Sequence, residues 1–331
     1  MKTEELIDTN PEFPRHPLGT KAKVLLTSVF GPYAQDDEYG SRKIHAMELY
    51  NNQITRVQGP FSIRAFHRSF QLLFLRENID ASCTVLDFPG LQRFIEELKN
   101  HPYYIIGISA IPNNIYKVKK MCELVRRYQS SAAIVVGGHV VGIDNIAEIV
   151  DADHFVRGDG VRGLRRYLGM DENAPIKHPA IASAFNIRVL GFPILRGRGD
   201  VPAILIPSVG CPVGCEFCAT SAMFGGSGKF VPFYKTGDEL FSVMCDLEKK
   251  LNVKGFFVQD ENFLLDKKRS LRLLELMEQH RKCWALFVFS SANALKSYTV
   301  DQLVRLGITG VWMGIEGKNS PYRKLEGIDT I

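Results

Sequence analysis

Apolar runs that read as strands alternate with amphipathic runs that read as helices, in two separate blocks of the chain. In the first block Lys23–Phe30, Cys83–Phe88, Tyr104–Ile111, Ala132–Gly137 and His154–Arg157 are strand-like. Leu91–Asn100 and Ile115–Tyr128 fall between them with helical periodicity. In the second of these, Ile115, Val118, Met121, Cys122 and Val125 share one side, with Lys117, Lys119, Lys120, Arg126 and Arg127 mostly on the other. Strands separated by helices pair in parallel, because a hairpin cannot join them. The pattern predicts an α/β fold with sheets covered on both faces.

The alternation restarts near residue 201. Ala203–Val209, Phe256–Gln259, Ala285–Ser290 and Val311–Ile315 read as strands, and Gly237–Leu251, Lys268–Lys282 and Thr299–Leu306 as helices. A (β/α)8 barrel uses about 31 residues per unit, so 201–331 holds about four units. The first block is similar in order to a flavodoxin-like doubly wound domain. The expected organisation is an N-terminal extension (1–20), a Rossmann-type doubly wound domain (21–169), a linker (170–200) and a partial barrel (201–331). The domain carries an insertion at 31–82, far longer than the usual loop of about 2–6 residues. Ile63, Phe66, Phe70, Leu73 and Phe74 predict an amphipathic helix there. The surplus shapes a ligand or partner surface, or packs the domains. Its aromatic and leucine content favours an apolar or planar small-molecule substrate.

Composition narrows the class. The 331 residues carry 41 Lys+Arg against 36 Asp+Glu, a net charge of +5 that is too small to argue for a nucleic-acid partner. With 45% hydrophobic and 23% charged residues, disorder is excluded. No apolar stretch approaches the ~20 residues of a membrane span. The polar, Pro-interrupted N-terminus is unlike a secretory signal, so a cytoplasmic protein is expected.

Three of the seven cysteines cluster as Cys211, Cys215 and Cys218 in SVGCPVGCEFCATSAMFGG, a C-x3-C-x2-C run in a Gly-rich loop after an apolar strand. Three thiolates fall short of the four ligands of structural zinc but suit a [4Fe–4S] cluster with one open iron. A zinc site borrowing Cys245, Cys283 or a histidine, or three cysteines without metal, are the alternatives. Cys83, Cys122, Cys245 and Cys283 read as core residues.

CPVGCEFC, with aromatic Phe217 before the last cysteine, resembles the signature of the radical S-adenosylmethionine superfamily. The resemblance implies an open iron that binds the amino and carboxylate groups of S-adenosylmethionine. It also implies one-electron cleavage of the sulfonium bond, and a 5′-deoxyadenosyl radical that abstracts hydrogen from substrate. It implies a reducing donor such as flavodoxin or ferredoxin. Phe217 would lie near the adenine. Asp260, Glu261 and Asn262 end the second barrel strand, where the family binds the methionyl amino group; the usual Gly-Gly-Glu is absent. Ser290, Ser291, Asn293 and Glu316 end the next two strands and would hold ribose or carboxylate groups. Each can instead be a helix cap.

A doubly wound domain before such a barrel resembles the cobalamin-binding subclass. Ser109, Ile111, Gly137, Gly138, His139 and Gly158, beyond strand ends, would line the cobalamin nucleotide tail. The Asp-x-His-x-x-Gly motif of some cobalamin proteins is absent. His16 and His139 carry only its His-x-x-Gly part, so any cobalamin would lack that histidine on cobalt. The family barrel has six units, and this chain, with about four, looks C-terminally truncated. The implied activity is cobalamin-dependent methylation of an unactivated carbon. Alternatives are radical cyclisation or rearrangement without methyl transfer, and a non-catalytic Fe–S or cobalamin-binding fragment.

Overall fold

The computed structural model describes residues 15–31, 39, 61–66, 69–182, 184–189, 192–193, 201–215 and 217–314, with backbone alone for 61–66, 184–189 and 192–193. Strands β1 (Val24–Ser28), β2 (Phe61–Phe66), β3 (Cys83–Leu86), β4 (Ile105–Ser109), β5 (Ala133–Gly137) and β6 (His154–Val156) precede residue 170. Helices α1 (Phe70–Glu77), α2 (Leu91–Asn100), α3 (Ile115–Tyr128), α4 (Ile146–Ile149) and α5 (Gly160–Tyr167) are interleaved with them. Five of the strands form one parallel sheet in the order β3-β1-β4-β5-β6. The order reverses between β1 and β4, where open α/β sheets place ligands.

Both faces of this sheet are buried. β1 is buried throughout, and Val118, Met121, Cys122 and Val125 of α3 pack fully buried against it. Lys117 departs from its expected outward place. It is fully buried, its ammonium 5.5 Å from the centroid of Phe30, a cation–π arrangement that keeps the charge in contact with a partner.

The insertion corrects a sequence expectation. Ile63 and Phe66 lie on β2, not on a helix; only Phe70, Leu73 and Phe74 of that stripe are helical. β2 pairs antiparallel with β7 (Ala184–Val189), which pairs with β8 (Phe192–Pro193). Residues from the insertion and from the segment 170–200 thus build a small sheet together. The start of that segment is strapped down. Buried Arg165 donates from Nε to the Asn78 carbonyl (2.9 Å), from Nη1 to Ala174 (2.6 Å) and from Nη2 to Pro175 (3.1 Å).

The second parallel sheet has the order β9-β12-β13-β14: β9 (Ala203–Leu205), β12 (Gly255–Val258), β13 (Ala285–Ser290) and β14 (Ile308–Met313). Between β9 and β12 come β10 (Ser208–Gly210), α6 (Ala219–Phe224), β11 (Phe230–Pro232) and α7 (Gly237–Leu251). α8 (Lys267–Gln279), α9 (Ala292–Leu295) and α10 (Val300–Arg305) follow. The run expected as one strand over Ala203–Val209 is split at Pro207. Proline has no N–H to continue the ladder. Its carbonyl accepts from Phe233 and Tyr234, and beyond it β10 turns into an antiparallel pair with β11.

One face of the second sheet carries Phe256, Val258, Leu286 and Val288 against α7 and α8. On its other face Ile204, Ile206 and Phe257 pack with Phe74 of α1 and Val161 of α5, so the two halves share a core. The Phe74 and Phe233 rings stand 4.8 Å apart. Among the described residues no helix is long and apolar enough to cross a membrane.

Candidate functional site

The cysteine run leaves β10 at the carboxyl-end side of the second sheet and closes on itself. The Gly228 amide donates to the Pro212 carbonyl at 2.8 Å. Gly214 has φ +68°, and a Cβ there would stand 2.2 Å from Ser227 Cα, so only glycine fits. The Cys218 amide donates to Cys215 O at 3.0 Å, and Cys218 is the N-cap of α6. All three cysteines are free thiols and half-buried. Burial pushes the Cys211 thiol up, the Val213 amide opposes this, and the charges of Glu261, Cys215 and Cys218 add to the rise. Cys215 and Cys218 both lie within electrostatic reach of Cys211. Among the described residues, however, no three His, Cys, Asp or Glu side chains are gathered as a metal-ligand set. The donor chemistry still fits a three-thiolate group: three thiols on one closed loop.

The three polar residues after β12 have separate fates. Asp260 is buried and saturated. Its Oδ2 accepts from Ser208 Oγ (2.7 Å) and Arg269 Nη2 (2.8 Å), and its Oδ1 accepts from the Asn262 amide (3.0 Å). Asn262 is spent on the next strand end. Its Oδ1 accepts from Ser290 Oγ (3.1 Å) and the Ser291 amide (3.0 Å), and its Nδ2 donates to Ser291 Oγ (3.1 Å). Ser291 also caps α9 through the Ala294 amide. Glu261 alone of the three reaches solvent. Protein crowded around its carboxyl, with the charge of Asp260, pushes it up to about 8; the Gly210 amide beside Cys211 opposes the rise. Asn293 and Phe217 are exposed, Phe217 at 39%. Glu316 lies outside the described residues.

In the first sheet Ser109 and Gly137 are the last residues of β4 and β5, Ile111, Gly138 and His139 follow those strands, and Gly158 follows β6. Gly138 and His139 are used in packing. Gly138 has φ +85°, and a Cβ there would stand 2.5 Å from the Ala110 carbonyl and 3.0 Å from Ser109 Oγ. The Val140 amide bonds the same Ala110 carbonyl at 3.1 Å. His139 Nε2 lies 3.1 Å from Thr220 Oγ1, and burial lowers its pKa. Gly158, at φ +75°, precedes Asp159, whose carboxylate caps α5 through the Val161 and Arg162 amides. Gly138 and His139 are thus taken up by contacts within the chain.

Ser208, Thr220 and Arg269 escaped the sequence reading. Arg269 had a signal: it shares helical spacing with Leu273, Leu276 and Met277, an arginine on an apolar stripe.

No family model matches the chain. A protein of Pyrococcus horikoshii described as an uncharacterized methyltransferase is 23% identical over 265 residues, 72% of this chain. The chain covers 56% of that relative's length.

Proposed function

We propose that the chain belongs to a radical S-adenosylmethionine enzyme whose reaction is methyl transfer to carbon. The finer fold reading goes with it: a flavodoxin-like, cobalamin-binding-type domain followed by a partial barrel. The observation that carries the proposal is the placing of the C-x3-C-x2-C loop beside Glu261. Three half-buried thiols lie at the end of a parallel sheet, with exposed Glu261 within electrostatic reach of Cys211. The methyltransferase description of the Pyrococcus relative supports methyl transfer as the outcome.

Cys211, Cys215 and Cys218 would hold a [4Fe–4S] cluster as thiolates. When bound and reduced, such a cluster supplies the electron that cleaves a sulfonium carbon–sulfur bond, giving methionine and a 5′-deoxyadenosyl radical. Glu261 receives the methionyl ammonium. An ammonium beside it favours its charged form, offsetting the crowding that raises its pKa. Phe217, on the loop between the second and third thiols, offers a ring face to the adenine. The Asn262–Ser290–Ser291 cluster fixes the ends of β12 and β13, so Glu261 projects from a rigid rim. A corrinoid is the methyl carrier that the resemblance implies, and the first sheet, with its reversal at β1/β4, is where it would lie.

The test is anaerobic incubation of the iron-loaded protein with methyl-deuterated S-adenosylmethionine, reductant, cobalamin and candidate apolar acceptors. Release of 5′-deoxyadenosine with a labelled methyl on an acceptor is the expected result. Iron-loaded protein that releases no 5′-deoxyadenosine overturns the proposal.

A further inference from the structure

Ser208 and Gly210 are alternate residues of β10, the short strand that delivers Cys211. Ser208 gives its hydroxyl to Asp260, so the acid just past the end of β12 grips this strand. Asp260 can hold that grip as a buried carboxylate only with a cation beside it. Arg269 is that cation, with side chains 3% (Arg269) and 5% (Asp260) exposed. Arg269 Nη1 also reaches the Tyr234 carbonyl (3.4 Å), on the chain just past β11, the partner of β10. The guanidinium thus reaches one side of the hairpin that carries the cysteine loop directly and the other side through Asp260. It lies over the Phe263 ring at 5.3 Å. A buried ion pair is an expensive way to add stability, since apolar side chains of similar volume do as well. Its geometric work is to set the hairpin against β12.

We propose that Arg269 is a positioning residue of the cysteine-loop site: through Asp260 and Ser208 it clamps the strand delivering Cys211 against the strand end delivering Glu261. The consequence for S-adenosylmethionine rests on the function proposed above; the clamp itself does not.

Two variants test it, Arg269→Lys and the charge-neutral Arg269→Met/Asp260→Asn, each confirmed folded by its thermal transition. In cluster-free protein, iodoacetamide alkylation of Cys211 is followed by peptide mass spectrometry, with exposed Cys283 as internal reference. Cys211 is expected to react several-fold faster in both variants while Cys283 is unchanged. In iron-loaded protein, the calorimetric Kd for S-adenosylmethionine is expected to weaken by about tenfold, as for loss of other groups that orient ligands. A folded variant with the wild-type Cys211 rate, or a loaded variant with the wild-type Kd, overturns the positioning role. If wild-type protein loads iron and binds no S-adenosylmethionine while Cys211 is unmasked in both variants, the clamp stands and the proposed function falls.

Discussion

His139 Nε2 and Thr220 Oγ1 stand 3.1 Å apart, so the loop that ends β5 is bonded to α6, the helix that Cys218 caps. Met223, on the same helix, packs into the core of the first half. The cysteine loop is therefore seated on the first sheet as well as on β12. Thr220→Val removes the hydroxyl at nearly constant volume. It is expected to cost about 1 kcal/mol, the worth of one part-buried hydrogen bond, read as a lower urea midpoint at unchanged m-value.

The shared core should be sensitive to acid. His178 Nδ1–H donates to the Pro179 carbonyl (2.8 Å), and its Nε2 accepts from the Ile206 amide (2.9 Å), so the ring is held neutral. Burial lowers its pKa from 6.5 to about 4. A histidine depressed in the folded state stabilises fully above its unfolded pKa, and that contribution is lost as pH falls through 6.5 towards 4. The difference is on the order of 1–3 kcal/mol for a half-buried ring. Urea unfolding at pH 7.5, 5.5 and 4.5 should show the wild type losing more stability than His178→Gln over that range. Parallel curves would refute the assignment.

Gly138 separates packing from cofactor binding. A methyl there meets the Ala110 carbonyl and sits at a left-handed φ. Gly138→Ala is expected to destabilise cofactor-free protein by about 1–3 kcal/mol. A variant as stable as wild type would show that this close approach is not made.

Asp260 and Glu261 are neighbours with opposite expected phenotypes. Asp260→Ala leaves Arg269 buried and unpaired, and should cost about 3–5 kcal/mol of stability. Glu261→Gln should leave the thermal transition in place and weaken S-adenosylmethionine binding by about tenfold or more, as loss of a charge-assisted contact does. Calorimetry and differential scanning fluorimetry on the two variants read this directly.

Local pattern carried much of the architecture into view. The helix Ile115–Tyr128 was legible because Val118, Met121, Cys122 and Val125 repeat at helical spacing and are indeed its buried face. The strands starting at Cys83, Ala203 and Ala285 were legible as short apolar runs bounded by polar residues. The cysteine loop was visible from its spacing and glycines. What escaped depends on partners distant in sequence. β2 is a strand because residues 184–189 lie beside it, and its Ile63 and Phe66 fit a helical stripe equally well until that partner is known. Likewise Asp260 and Glu261 are adjacent acids in the sequence. Only Ser208 and Arg269, brought in from β10 and α8, decide that one is buried and paired and the other faces solvent.

The central claim is that Cys211, Cys215 and Cys218 act as one ligand set, and the direct measurement is iron and sulfide content of anaerobically reconstituted protein with its electron paramagnetic resonance spectrum. The account predicts about four irons and four sulfides per chain. It also predicts a reduced-cluster signal that changes on adding S-adenosylmethionine, and loss of both in Cys218→Ala. Iron-free, colourless wild-type protein, or a Cys218→Ala variant with the full cluster signal, would contradict it.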